Sequence, residues 1–258
     1  MRLLTLLLIY LCSTIAMSQE SAETEKVRIA IGEWPPYHDS KAPNSGLASH
    51  AIQLAFADQG IDVEFEFYPW TRAFKLAQSG LVDGTGVWFA TDERAKDFHI
   101  SEPVMMAKTV FFHRVDYEFD WESYDDLKGL RVGIAQYSND GEAFGEAFAQ
   151  AQKQQIFSSS TAHDDRMLFT MLQHKRIDLF PIDKHAGLGF LKSDFSDEQQ
   201  AMFTYHPLPV RQDGGHLLLP KRSERSIELL RRFNIGLNKL RAKGALTELG
   251  LPPQSSTP

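Results

Sequence analysis

The sequence predicts a two-lobed α/β protein in which each lobe is a mixed sheet flanked by helices. Strand-like and helix-like segments alternate over the first part of the chain, a pattern typical of parallel-rich α/β sheets. A similar order of segments begins again at Leu130. The chain has 258 residues, of which 43% are apolar and 11% aromatic, a size that suits one large domain or two lobes of about 120 residues each.

The charge balance excludes one class of partner. Lys and Arg total 27 against 34 Asp and Glu, which gives a net charge of −7 at neutral pH. A protein that binds duplex nucleic acid needs a basic surface to displace counterions from the phosphates. We therefore expect no nucleic-acid partner.

Residues 1–18 are predicted to be a secretory signal peptide. Arg2 supplies a positive start, Leu3–Cys12 is apolar, and Ala16-Met17-Ser18 offers small residues at a cleavage site. The apolar run is shorter than the ~20 residues that a membrane-spanning helix needs. Cleavage would remove Cys12, the one cysteine of the chain, so we expect an exported, periplasmic protein without disulfides or thiolate ligands.

Apolar periodicity separates strands from helices in the first predicted lobe. Two segments alternate as strands do, Val27–Ile31 and Val63–Phe67, and two repeat at helical spacing, Leu47–Gln59 and Trp70–Ser79. The first strand leads into Gly32–Tyr37, which contains two prolines. Proline neither continues a helix nor donates to a strand ladder, so this segment is predicted to be an ordered loop.

The second lobe is predicted to repeat this order. Leu130–Ile134 resembles the first strand, and Met167–His174 is a helix that leads into a strand over Ile177–Ile182. Two α/β units of similar plan suggest two lobes, each of which offers loops at its strand ends.

Two further segments are predicted to cross between the lobes as a hinge, Val104–Val115 and Phe203–Leu208. With these crossings, lobe one comprises residues 24–113 plus 207–258, and lobe two comprises residues 114–206. The apolar spacing over Ile227–Leu240 predicts a helix that packs on lobe one. Two crossings would let the lobes close over a ligand.

Aromatic residues cluster at two predicted loops of lobe one. Trp34 and Tyr37 follow the first strand, and Trp88 and Phe89 lie in a second loop over residues 83–94. Parallel sheets bind ligands outside the carboxyl ends of their strands, so these side chains are candidate ligand contacts. Tryptophans at such positions can equally be core residues.

Arg94 is the candidate anion-binding residue. Thr91 is a plausible N-cap of a short helix that starts beside it. Backbone N–H groups at a helix start and a guanidinium together suit a carboxylate. The alternative is that Arg94 belongs to a solvated ion-pair face with Asp92, Glu93 and Asp97.

Lobe two contributes candidates at two strand ends. Tyr137, Ser138 and Asn139 follow one strand, and Asp183 ends another. Asp183 could bind a ligand or could instead be the N-cap of the helix that follows it.

Catalytic templates are mostly absent from the sequence. There is no Gly-x-Ser-x-Gly, no phosphate-binding Lys-Ser/Thr loop and no His-Glu-x-x-His pair. The nine histidines have no metal-ligand spacing. We therefore predict a binding protein with no catalytic residue, no metal and no cofactor.

A set of short motifs resembles the type II periplasmic solute-binding proteins of family 3, which serve polar amino acid ABC importers. The resemblance covers nearly the whole exported chain, and its specificity lies in the order and spacing of the motifs. These are Ile31-Gly32 with Pro35-Pro36-Tyr37, Trp70-x-x-Ala73 through Val82-Asp83, Thr91-x-Glu93-Arg94 through Ser101-x-Pro103, Leu127-Lys128-Gly129-x-x-Val132-Gly133, and Ile177-Asp178 before Asp183.

The resemblance implies a type II periplasmic-binding-protein fold and a role for each matched residue. Arg94 would hold a ligand α-carboxylate from lobe one, and Asp183 would take the α-ammonium from lobe two. Trp34 would stack on the ligand side chain, and Ser138 and Asn139 would donate from lobe two.

Two positions depart from the family pattern. Phe89 stands where such binders usually have Ser or Thr, and Tyr137-Ser138-Asn139 replaces Gly-Thr-Thr or Gly-Thr-Ser. The larger side chains predict a narrower or reshaped pocket. Arg72 could supply a further cation or be a surface arginine.

The predicted function is capture of a small polar ligand, an amino acid or a related carboxylate, by an exported monomer that passes it to an ABC permease. Two alternatives use the same fold. One is an enzyme that resembles cyclohexadienyl dehydratase, which needs an acidic general acid in the cleft. The other is a ligand-sensing module for a membrane receptor.

Overall fold

A computed structural model describes residues 24–136 and 144–251. The predicted signal peptide, residues 1–18, and the predicted ligand contacts Tyr137, Ser138 and Asn139 lie outside the described residues. Within those two ranges, no helix has the length and apolar character needed to cross a membrane.

Nine strands of the described chain form one mixed sheet, which confirms the predicted α/β class. Their order across the sheet is β2-β1-β3-β9-β4-β7-β5-β6, with β8 paired to β4. The strands are β1 (Glu25–Ile31), β2 (Ile61–Phe67), β3 (Gly84–Phe89), β4 (Phe98–Arg114), β5 (Arg131–Ala135), β6 (Ser158–Ala162), β7 (Leu179–Asp183), β8 (Phe203–Tyr205) and β9 (Arg211–Pro220).

The sheet has two parallel groups joined by an antiparallel centre. β2, β1 and β3 run parallel, as do β7, β5 and β6. The long strand β4 joins them because it changes partner at Thr109. Its residues up to Thr109 pair with β9, and those from Thr109 to His113 pair with β7.

Helices connect the strands in the order that the sequence predicts. The segments predicted to be helical from Leu47, from Trp70 and around Met167 are helical in the structure. The α-helices are α1 (Leu47–Ala57), α2 (Trp70–Gln78), α3 (Asp92–Asp97), α4 (Glu146–Lys153), α5 (Asp165–Gln173), α6 (Lys184–Asp194), α7 (Asp197–Gln200), α8 (Ser226–Ala242) and α9 (Ala245–Glu248).

Buried apolar residues divide at the middle of β4. The first core draws on residues 27–107 and 217–251, and the second core draws on residues 110–203. Ala107 belongs to the first core and Val110 to the second, so the division falls on either side of Thr109.

Two predicted segments have a different structure. The segment 203–208, predicted to be the returning hinge strand, contains only the three-residue β8, which pairs with the far end of β4. The long partner of β4 is Arg211–Pro220. The segment 83–94, predicted to be a loop, contains β3, because Gly84 and Gly86 allow close pairing with β9.

The C-terminal helix α8 packs against α1 through a position without a side chain. A Cβ on Gly236 would lie 1.9 Å from the backbone oxygen of Ala55, inside any allowed contact distance. Phe233, one turn earlier, packs against Phe56 of α1 with the rings tilted and their centroids 5.0 Å apart. The close approach of the two helices therefore depends on glycine at position 236.

We expect Gly236→Ala to destabilise the protein by about 3 kcal/mol or more, because the two helix backbones must separate. The control is Gly189→Ala in α6, where the nearest atom to the added Cβ is 3.9 Å away. Alanine there is expected to stabilise the helix by up to ~1 kcal/mol. Urea unfolding measures both changes, and equal effects of the two variants would contradict the packing argument.

Candidate functional site

The loops that follow β1 and β3 lie side by side at one edge of the sheet. β1 and β3 are parallel, with Ile29 opposite Gly84, so their carboxyl ends meet at the same edge. Trp34 from the first loop and Phe89 from the end of β3 make an edge-to-face contact with ring centroids 6.3 Å apart. Tyr37 lies 4.8 Å from Trp34 by the same measure. We call Trp34, Tyr37 and Phe89 the aromatic wall.

The loop that carries Trp34 and Tyr37 is held by backbone and side-chain bonds. Trp34 N–H donates to the His38 carbonyl at 2.8 Å, and the Tyr37 carbonyl accepts from Ala48 at the start of α1 at 3.0 Å. His38 Nε2 accepts the Val87 N–H of β3 at 2.8 Å, and its Nδ1 lies 2.7 Å from Ser49 Oγ. The wall is therefore fixed to both β3 and α1.

His38 is fully buried and electrically neutral. Burial lowers the pKa of its imidazole to about 3, because a charged ring would lose its hydration. Since Nε2 accepts a backbone N–H, the proton of the neutral ring is on Nδ1 and is donated to Ser49. His38 is thus a structural hydrogen-bond bridge.

Asp183 ends β7 and caps α6. Its Oδ1 accepts the Ala186 N–H at 3.0 Å, which makes it the N-cap, and its Oδ2 accepts the Lys108 N–H of β4 at 3.0 Å. The residue is only 6% exposed. Burial raises the pKa of its carboxyl, although the backbone donors and Tyr37 oppose that shift.

Tyr37 connects the wall to Asp183. Its hydroxyl donates to Asp183 Oδ1 at 3.1 Å and lies 3.3 Å from His185 Nδ1. Burial and the Asp183 charge raise the pKa of the Tyr37 hydroxyl far above its usual range, so it remains a neutral donor. Tyr37 packs in the first core, and Trp34 packs against both cores. The bond therefore joins the two halves of the sheet.

Arg94 lies at the start of α3, beside the backbone of the wall. Thr91 caps this helix by accepting the Arg94 N–H at 3.2 Å, as the sequence predicts. A guanidinium N–H of Arg94 donates to the Phe89 carbonyl at 2.8 Å. The guanidinium also lies over the Trp88 ring, 5.0 Å from its centroid.

Trp88 and Arg72 are directed away from the wall. Trp88 precedes Phe89 on β3 and points to the opposite face of the sheet, where its ring contacts Trp70 and Phe74 of α2. Arg72 is exposed on α2, with its guanidinium 4.6 Å from the Tyr68 ring centroid. The described structure thus brings Trp34, Tyr37, Phe89 and Asp183 together. Arg94 joins this group through its hydrogen bond to the Phe89 carbonyl.

Two residues of the site are not found by the sequence analysis. The Arg211 guanidinium stacks over the Phe89 ring at 4.7 Å from its centroid and forms an ion pair with Asp213. His185 faces the Tyr37 hydroxyl. Placing the return strand at 211–220 would have identified Arg211, whereas no sequence signal identifies His185.

A search for a metal site gives no candidate. Among residues 24–136 and 144–251, we find no group of three or more His, Cys, Asp or Glu side chains arranged to hold a metal ion.

Comparison with known families gives the assignment. The family model for bacterial extracellular solute-binding proteins, family 3, matches residues 27–250. The chain belongs to this family. As a family 3 protein, it has the type II periplasmic-binding-protein fold, and its mixed nine-stranded sheet agrees with that fold.

Solved structures share the fold over most of the chain. A histidine kinase sensor domain with similarity to periplasmic binding proteins matches with a TM-score of 0.69 at 18% identity, covering 88% of this chain and 96% of its own. The GluR0 ligand-binding core from Nostoc punctiforme, in complex with L-glutamate, matches with 0.65 at 19% identity, covering 86% and 96%. The arginine-bound amino acid ABC transporter substrate-binding protein AbpA from Streptococcus pneumoniae matches with 0.66 at 21% identity, covering 87% and 92%.

We expect His38 to make stability depend on pH. Below about pH 6.5 the histidine is protonated in the unfolded protein, whereas the pKa of folded His38 is about 3. Because the unfolded state then binds more protons, the free energy of unfolding falls by up to ~1.4 kcal/mol per pH unit as pH decreases. His38→Gln should lower stability at neutral pH by about 1–3 kcal/mol and flatten this slope. Urea unfolding at several pH values measures both effects. The exposed His163 provides the control, His163→Gln, and identical slopes for His38→Gln and wild type would contradict the assignment.

Proposed function

We propose that this protein is exported and captures a small ligand with a carboxylate group, an amino acid or a related acid, for uptake through an ABC-type permease. One arrangement carries the proposal. Arg94 is hydrogen-bonded to the carbonyl of Phe89, a member of the aromatic wall, and the wall is joined to Asp183 through the Tyr37 hydroxyl. This arrangement supports the proposal because it brings a cation and an apolar surface together at the end of β3.

The charges beside the wall favour an anionic group. Arg94 and Arg211 both approach Phe89, one through its carbonyl and one over its ring. A guanidinium has five N–H donors in a planar fork, so a bond to the Phe89 carbonyl is compatible with a paired contact to a carboxylate. Within a partly buried site, such charge-assisted bonds are stronger than neutral ones.

The division at Thr109 supports closure over the ligand. We propose two lobes with β4 as one crossing at Thr109, a few residues before the boundary at residue 113 that the sequence predicts, because Val110 and Phe112 pack in the second core. The two cores separate on either side of Thr109, so small backbone changes there could alter the gap between the loops. A ligand that contacts both lobes would favour the closed state.

The partner that binds the closed, ligand-bound protein can be a permease or a receptor. Solved structures with this fold include a transporter substrate-binding protein and a histidine kinase sensor domain. Ligand capture is common to both uses. Co-purification from an envelope extract tests the partner, and cell fractionation tests export.

An enzyme of the dehydratase type is the second candidate, because burial raises the pKa of Asp183 towards that of a general acid. Against it, both carboxylate oxygens accept N–H donors and Tyr37 covers the group. Incubation with prephenate or arogenate tests it, and product formation would favour the enzyme over the binder.

We expect Arg94→Ala to weaken carboxylate binding by about 100-fold, since a charge-assisted pair contributes about 1.5–3 kcal/mol. Calorimetry of unfolded and refolded protein against a panel of amino acids and organic acids measures the affinity. Refolding removes any ligand carried through purification.

Arg72→Ala is the matched control, because Arg72 is an exposed arginine of the same lobe with its ring contact on Tyr68. It should leave affinity unchanged. Undiminished binding by Arg94→Ala, with its thermal unfolding close to that of the wild type, would contradict the proposed site.

A further inference from the structure

The surroundings of Asp183 are already filled by protein donors. Oδ1 accepts the Ala186 N–H and the Tyr37 hydroxyl, and Oδ2 accepts the Lys108 N–H, all at 3.0 to 3.1 Å. A carboxylate offers about four acceptor sites, so three of them are occupied. The fourth site is on Oδ2, and the residue is only 6% exposed. At Oδ1, a ligand ammonium could bind only by displacing Tyr37.

Tyr37 is held firmly in this position. Its side chain is 1% exposed and packs in the first core. Its carbonyl accepts N–H bonds from Ala48 and Ser49 at the start of α1, and its own N–H donates to the Trp34 carbonyl at 2.8 Å. Moving the Tyr37 hydroxyl within its own core would therefore disturb both the core and the loop, so Tyr37 meets Asp183 again whenever the proposed lobes close.

Within the part of the chain that the structure describes, the carboxylates Asp213 and Glu33 beside the wall are also engaged. Asp213 forms an ion pair with Arg211, the residue that stacks on Phe89. Glu33, next to Trp34, is exposed and accepts the Ser40 N–H at 3.3 Å. Of the described carboxylates Asp183, Asp213 and Glu33, none is both buried and open to a ligand.

We propose that the ligand is an organic carboxylate without an α-ammonium group, and that Asp183 holds Tyr37 and caps α6 instead of binding an amine. This inference rests on the proposed function and names the ligand class of that site. An α-ammonium buried against the wall would lose its hydration without gaining a buried charge partner from residues 24–136 or 144–251, and that loss weakens binding. A carboxylate with an apolar body would keep its contacts to Arg94 and to the aromatic rings.

Matched ligand pairs that differ only in the amino group test this. The probes are L-phenylalanine with 3-phenylpropanoate, L-leucine with 4-methylpentanoate, and L-glutamate with glutarate, each titrated into refolded full-length protein by calorimetry. In the pair that contains the best-binding acid, we expect the dissociation constant of the acid to be about tenfold or more lower than that of the matching amino acid.

Each result of the titrations has a distinct meaning. A tighter amino acid in the best-binding pair would overturn the inference and leave the proposed carboxylate-binding function standing. Absence of binding by every member of the panel would overturn both. Tighter binding of the acid supports both.

Tyr37→Phe supplies a second test, because it removes the hydroxyl from Asp183 and keeps the ring of the wall. With Oδ1 exposed to the ligand, the amino acid of the best pair should gain on its acid partner by about fivefold or more. The control is Tyr68→Phe, whose lost hydroxyl donates to Glu66 at 2.8 Å and should leave the preference unchanged. An unchanged preference in a folded Tyr37→Phe protein would overturn the shielding role of Tyr37.

Discussion

The hydrogen bond from Tyr37 to Asp183 is the contact on which the geometry of the site depends. It links a loop of the first core to the strand end and helix start of the second. The bond is buried, so water does not compete for either partner and its loss would leave a buried acceptor partly unsatisfied. Through it, the position of α6 and the position of the aromatic wall are set together.

Phe89 of the aromatic wall determines the contacts that Arg94 and Arg211 make beside the site. Where a hydroxyl would add one more hydrogen bond to a ligand carboxylate, Phe89 offers a ring face to Arg211 and its carbonyl to Arg94. The Phe89 ring excludes water from one side of the Arg211 guanidinium, which strengthens charge-assisted bonds made on its other side. Recognition by such a surface combines charge with apolar contact and uses few neutral polar groups.

The sequence predicts local features better than the site. Helices α1 and α2 have strong apolar periodicity, and the Thr91 cap follows from residue type and position, so these predictions are confirmed. The return strand is missed because β9 begins with Arg211, Gln212 and Asp213 and then has two glycines, a composition typical of a loop. Its pairing with β4 is a long-range contact that local propensity does not contain.

Strand β3 is also missed, because its two glycines are typical of a loop. Once residues 84–89 are known to be a strand, the alternation of side chains sends Trp88 and Phe89 to opposite faces, and only Phe89 can join Trp34. Asp183 shows the limit of the approach, since its cap role was one of two sequence-based alternatives. The third donor, Tyr37, is 146 residues away in the chain and becomes visible only in the folded protein.

The contact between Tyr37 and Asp183 also constrains how a ligand can act on the lobes. A ligand shifts a two-state equilibrium only by its difference in affinity for the two states. Because this bond forms within the protein itself, it contributes to closure whether or not a ligand is bound. If the proposed function holds, the additional closure produced by a ligand must come from groups that touch it from both sides, which the proposal assigns to Arg94 and to the strand ends of the second core. A ligand that broke the bond to reach Asp183 would have to replace it before it could add anything to closure.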